Sequence, residues 1–194
     1  VSVINLASNR GLAHIQVGAS PRGIAIIPDG SKLFVNNVLD GTLSVIDTTT
    51  NTVTNTIVLT KIPLTDTILL GKRLFNSAAE PVLTTDNWIS CATCHFDGMM
   101  DARTWLGFPD GPRNTTSLFG VAQTLPIHWS GDLDELQDVE LTIRNIQAGS
   151  GLIQGEINDS LGSSHTGLST DLDALAAYME TIEMPQSPYD NDQL

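Results

Sequence analysis

The first 60 residues alternate apolar and polar positions with a period of two. Ser20-Pro21-Arg22-Gly23-Ile24-Ala25-Ile26-Ile27 and Lys32-Leu33-Phe34-Val35-Asn36-Asn37 flank Pro28-Asp29-Gly30, a turn sequence. They predict strand, tight turn, strand. Ile24 and Ile26 share one face of the first strand, and Leu33 and Val35 share one face of the second. The pattern also recurs. VSVINLASNRGLAHIQV from Val1 lies over LSVIDTTTNTVTNTIVL from Leu43 at an offset of 42. Ser2 then meets Ser44, Val3 meets Val45, Ile4 meets Ile46, Asn9 meets Asn51 and Ile15 meets Ile57. A period near 40 with about four short strands per unit is the mark of a β-propeller blade, and about one and a half such units are present.

After Lys61-Ile62-Pro63 the period changes from two to that of helices, separated by long Gly- and Pro-rich loops. Asp66 to about Ser77 predicts a helix capped by Thr65 or Asp66, with Ile68, Leu69, Leu74 and Phe75 as its contacts. A second runs from about Asp134 to Ala148, with Leu136, Val139, Ile143 and Ile146 at helical spacing and Gly149 as its stop. The last is capped by Thr170, lines Leu172, Leu175, Ala176, Met179 and Ile182 on one face, and stops before Pro185. The expected fold is α+β in two parts. Residues 1–60 form an antiparallel, partial β-propeller sheet. Residues 61–194 form a mainly helical domain.

Charge narrows the partners. Twenty-two acidic against nine basic side chains leave a net charge of −13 in 194 residues. Such a surface repels nucleic acid and anionic lipid. No run approaches the roughly 20 apolar residues of a membrane span. A partner docking through charge would be basic.

The chemistry lies in Cys91-Ala92-Thr93-Cys94-His95, a C-x-x-C-H motif. Two thiols three positions apart on one helical turn can each add to a haem vinyl group, and the adjacent His reaches the iron. A redox dithiol would not need the His. A structural zinc site would need two more Cys or His ligands. The expected cofactor is one covalent haem c on Cys91 and Cys94, with His95 on iron. Covalent haem attachment implies an exported protein, periplasmic or extracellular. No charged n-region and apolar h-region stands at Val1, so either the signal is removed or the chain is a piece of something longer.

Three resemblances extend this reading. Residues from Val17 to about Thr60 resemble the YVTN-type propeller repeat, with Phe34-Val35-Asn36-Asn37 in place of its name motif. Gly71, Phe75 and Tyr178 resemble the helix crossing of a class I cytochrome c, where a small residue meets an aromatic. The segment GKRLFN…ISCATCH…RNTTSLFGVA…IHWSGDLDELQDVE is similar to the bacterial di-haem cytochrome c peroxidase superfamily. It is most like a branch in which such a domain follows a YVTN-type propeller. The resemblance implies that Arg113 contacts a haem propionate; the plain alternative is a surface Arg. Trp129 is expected to wall the haem. The departures are one C-x-x-C-H instead of two, and Ile143 where the family's electron-donating domain has an iron-binding Met.

The sixth iron ligand is sought by elimination. Met99 and Met100 lie close after His95. Met179 continues a core face, and Met184 follows it. His14 belongs to the β part. His128 and His165 remain, and His128 is preferred, on a loop between Pro126 and Trp129. Its alternative is a propionate contact. A calcium site among Asp97, Asp101 and Asp110 lacks EF-hand spacing.

The expected function is a monohaem electron carrier with a six-coordinate iron and a basic redox partner. Asp132, Asp134, Glu135, Asp138 and Glu140 would form a docking face, or simply a solvated helix face. The alternatives are a peroxidase-type haem enzyme and a haem-bearing structural subunit assembled through its β part.

Overall fold

The computed structural model describes residues 1–108 and 111–187 and divides into two compact units, Val1–Leu64 and Thr65–Leu194. Their elements are antiparallel strands in the first and helices with a short ladder in the second, an α+β composition.

In the β unit, β1 (Ser2–Asn5) and β2 (Arg10–His14) form a hairpin. β3 (Pro21–Ile26), β4 (Lys32–Asn37), β5 (Thr42–Asp47) and β6 (Thr52–Val58) form a four-stranded meander in sequence order. The sequence repeat is reproduced residue by residue in the strand register. Ser2 pairs with His14 and Ser44 with Thr56; Ile4 pairs with Gly11 and Ile46 with Val53. Both hairpins carry a bulge at the same place, between Val3 and Ile4 and between Val45 and Ile46. Asn9 and Asn51 both adopt positive φ, at 51° and 56°, a conformation asparagine tolerates because its side chain can bond locally. Asn5 Oδ1 accepts the amides of Ala7 and Ser8, and Asp47 Oδ1 those of Thr49 and Thr50, so one turn is built twice.

The core of this unit is small: Ile15, Val35 and Ile46, with Val1, Val3, Val17, Leu33 and Val53 against them. Ile24 and Ile26, expected to share one face of a half-buried strand, are both exposed on the edge strand β3. The reason is that β3 has no neighbour beyond it, and the two sheets do not close into a ring.

The helical unit is organised by α1 (Asp66–Asn76) and α4 (Thr170–Glu180). Thr65 caps α1 by accepting the Ile68 amide. Ser169, one residue before the expected cap, does so for α4 through the Leu172 amide. The two helices cross at Gly71, where a Cβ would meet the Ala174 carbonyl oxygen at 1.9 Å and the Tyr178 Cβ at 2.8 Å. Phe75 and Tyr178 pack edge to face beside the crossing, with centroids 5.2 Å apart. Around it lie Leu74, Leu83, Leu118, Val121, Ile143, Leu172 and Leu175.

The helix expected over 134–148 is shorter. A 3₁₀ turn at Leu136–Asp138 precedes α3 (Val139–Asn145). Asp138 Oδ2 accepts the amides of Asp134 and Glu135, holding those residues in a cap instead of a helix. At the other end Ala148 turns left-handed, and the Gly149 amide reaches back to the Ile143 carbonyl. Glu140, expected on a solvated face, is wholly buried. It accepts Arg144 Nε at 2.8 Å and the amides of Leu152 and Ile153. Asp138 is buried too, so the acidic stretch is not one continuous docking face. No described helix is long and apolar enough to cross a membrane.

Candidate functional site

The C-x-x-C-H residues begin on a single helical turn, α2 (Cys91–Cys94). Ser90 starts it: its amide donates to Thr93 Oγ1 at 3.0 Å. His95 closes it, its amide donating to the Cys91 carbonyl at 2.9 Å. Both thiols and the imidazole therefore issue from one turn and its last residue. Gln147 Nε2 reaches Cys91 Sγ at 3.8 Å, while the Gln147 carbonyl accepts Trp88 Nε1 at 3.2 Å. The loop leaving the motif is pinned by the Leu118 amide on the Gly98 carbonyl.

Electrostatics separates the readings of this motif. Burial pushes the Cys91 thiol up, and the Cys94 thiol up to about 11. A redox dithiol works through a depressed thiol, so neither sulfur is poised for exchange. Among the described residues, no protein donor set of three or more gathers at these cysteines, as a structural zinc site would require. Burial lowers the His95 pKa, opposed by nearby backbone groups of Thr116 and Met99, and His128 is near enough to add to the lowering. His95 Nδ1 is buried without a hydrogen-bond partner.

The expected site residues fall as follows. A cavity of about 410 Å³ is lined by Met100, Ala102, Asn114, Thr115, Thr116 and Trp129. Trp129 Nε1 donates to the Asn114 carbonyl at 2.7 Å, tying the His128 loop to β8 (Arg113–Asn114). Arg113 is half-buried there, paired across a two-residue ladder with Trp105 of β7 (Thr104–Trp105). His128 is exposed, in a left-handed conformation with φ 68°, and its Nδ1 lies 3.2 Å from Asp132 Oδ1.

His165 lies elsewhere. It is fully buried and bonded through both ring nitrogens, to Asp138 and to the Asn158 carbonyl, so it is not the reserve iron ligand that sequence suggested. Met100, set aside there for its nearness to His95, lines the same cavity as Trp129. Asp101 holds Trp105 Nε1 at 2.8 Å and the Arg103 amide, while Asp110 lies outside the described residues. Sequence reasoning missed Thr115, Thr116 and Gln147, whose residue types carry no chemical signal of their own.

The donor set fits haem c. Two adjacent thiols and an imidazole on one turn match its attachment chemistry. Large apolar side chains stand exposed on the flanking loops: Trp88, Phe96, Met99, Met100, Leu106 and Trp129. Monomers seldom leave so many uncovered in one segment.

The comparison with protein families agrees. The family model for di-haem cytochrome c peroxidase matches residues 65–154, somewhat under half the chain. This stretch is thus similar to a haem-binding, cytochrome c peroxidase-like family. No curated protein matches the chain.

Proposed function

We propose that the chain is an exported monohaem c-type cytochrome, periplasmic or extracellular, that passes single electrons to and from a basic redox partner. The haem would supply one-electron chemistry at its iron. Cys91 and Cys94 would hold it through thioethers, and His95 and His128 would bind its iron. Arg113 would pair with a propionate, and Trp129 would cover an edge.

One observation carries this reading. A single C-x-x-C-H stands in a segment that matches a di-haem family. Peroxidase turnover needs an open iron and a second electron source, and this chain has one attachment motif. The nearness of His128 to His95, close enough to affect its charge, supports the ligand assignment. The Gly71 crossing supports a class I cytochrome c fold for the helical unit. The in-register repeat supports a YVTN-type blade and a half for the β unit, whose open edges suit further blades or assembly with another copy.

The family match favours the peroxidase-type enzyme as second reading. An optical titration separates the two. The carrier should give a sharp reduced α band that carbon monoxide leaves unchanged. Carbon monoxide or peroxide binding to the resting protein would favour the enzyme. His128→Ala should abolish the six-coordinate, low-spin spectrum. An unchanged spectrum would move the ligand to Met100 and leave His128 as a propionate contact.

A further inference from the structure

Gln147 buries a side-chain amide that the fold does not need. It follows α3 in a tightly fixed stretch. Its backbone amide donates to the Thr142 carbonyl at 3.1 Å. Its carbonyl accepts Thr84 Oγ1 and Trp88 Nε1, each at 3.2 Å, and the Thr85 amide at 3.4 Å. Ala148, the next residue, turns left-handed and bridges to Thr84. Gly149 has no room for a side chain, because a Cβ would meet the Val82 carbonyl oxygen at 2.4 Å. The backbone thus fixes where the Gln147 side chain starts, beside the attachment turn.

The residue is 7% exposed. Its Oε1 is buried without a hydrogen-bond partner, and its Nε2 meets Cys91 Sγ at 3.8 Å. Among the described residues, that sulfur is the one polar contact of the side chain. The backbone anchors make no use of the amide. A leucine would keep every one of them and bury no unpaired oxygen. An amide here is destabilising unless its contact with Cys91 serves a purpose.

Cys91 is one of the two thiols that haem c takes. A cysteine side chain has three staggered positions about χ1, and attachment requires the one that aims the sulfur at a vinyl group. Sulfur accepts a hydrogen bond weakly, so an N–H beside it favours one of these positions. Cys94 is outside this contact, and its sulfur lies beside the Thr115 side chain instead. The two thiols of one motif are therefore held from different places: Cys91 from the segment after α3, Cys94 from the segment after β8.

We propose that Gln147 is a positioning residue for haem attachment, holding the Cys91 sulfur toward its vinyl group through the side-chain N–H; this rests on the haem c reading of the motif. In the step it serves, the Cys91 S–H adds across the vinyl double bond. The sulfur bonds to the carbon next to the ring, the thiol proton goes to the terminal carbon, and nothing leaves. No electrons are gained or lost overall.

The test follows the two cysteines separately in the full chain. Haem-free protein with both thiols reduced is mixed with ferrous haem and denatured at intervals. Free thiols are alkylated, and fragment-ion mass spectrometry locates the label on Cys91 or Cys94. In the wild type both thiols should be consumed. Gln147→Leu should lower the rate at Cys91 relative to Cys94 by about threefold to tenfold, the span from one lost choice among three rotamers to one lost hydrogen bond. Should that variant not fold, Gln147→Met keeps the length without an N–H, and the same split is expected. An unchanged ratio, whether both cysteines slow together or neither does, would make Gln147 part of the fold alone and overturn the proposal. A wild type in which neither thiol is consumed would overturn the haem c reading itself, and the proposal with it.

Discussion

The β unit and the helical unit both leave large apolar side chains exposed, but in different patterns. In the β unit, positions one repeat apart differ in exposure. Ile15 is 6% exposed and Ile57 is 40% exposed, although 42 positions apart they hold the same register, opposite Val1 and Leu43. The first is covered by the following meander, and the second has no such neighbour. In the helical unit exposed apolar side chains occur at no regular spacing: Trp88, Phe96, Met99, Met100, Leu106, Leu125 and Trp129 lie on loops or short turns flanking the C-x-x-C-H motif, and Leu70, Leu161, Leu168 and Met184 lie elsewhere. A sheet surface covered in one copy of a repeat and bare in the other is unfinished. An aperiodic surface, gathered around two thiols and an imidazole, is complementary to a compact flat group. The same observation, exposed apolar area, therefore has a different source in each unit: a repeat copy left uncovered in one and the segment flanking the attachment motif in the other.

The comparison breaks most sharply if the haem is withheld. Replacing Cys91 and Cys94 by Ala should prevent attachment. Amide exchange in α1 and α4 should then quicken by about 100-fold or more, about 2.7 kcal/mol of lost local stability. Exchange in β4 and β5, whose core contains no haem-site residue, should be unchanged. Equal loss in both units would mean that their stabilities are not independent. No loss in α1 and α4 would mean that the exposed aromatics serve something other than a haem.

A smaller effect is expected from glycines that look alike in sequence. Gly71→Ala forces a Cβ onto the Ala174 carbonyl, a backbone atom that no rotamer change can move away. The gain in helix propensity, about 1 kcal/mol, is outweighed by overpacking of about 1–3 kcal/mol or more. Net destabilisation of about 2 kcal/mol in denaturant unfolding is the expected result. Gly11→Ala in β2, where a Cβ meets nothing within 4 Å, should change stability by no more than about 0.5 kcal/mol. A neutral Gly71→Ala would remove the close crossing on which the cytochrome reading of this unit leans.

These two glycines also mark what was legible in the residues. Gly71 could be placed because a helix period surrounds it and an aromatic stands on the partner helix. The β strands could be placed because period two and a 42-residue repeat both constrain them. The attachment turn was legible because thiol and imidazole spacing follows from cofactor chemistry. What escaped was set by contacts remote in sequence. Glu140 reads as one more acid in a charged run, and only Arg144 and the amides of Leu152 and Ile153 make it a buried anchor. His165 reads as a loop histidine until Asp138 and the Asn158 carbonyl are brought to its two nitrogens. Ile24 and Ile26 alternate correctly, but alternation cannot tell an edge strand from a central one.

The smallest expected effect sharpens the repeat itself. Asn5 and Asp47 build the same turn, each side-chain oxygen accepting two backbone amides, but only Asp47 titrates. The amides of Thr50 and Thr49 hold its carboxyl below the ordinary 3.8. A carboxyl depressed on folding favours the folded turn at pH above its unfolded value, and that preference is lost as pH falls through the lower folded value. The side chain is solvent-facing, so the readout is local rather than global. In a pH series of amide spectra, Thr49 and Thr50 should shift with a midpoint below 3.8, while Ala7 and Ser8 stay flat. Asp47→Asn should flatten Thr49 and Thr50 as well, making the second turn behave as the first. A midpoint at or above the ordinary value would mean that the Asp47 turn is open in solution, and that the two halves of the repeat match in sequence more closely than in structure.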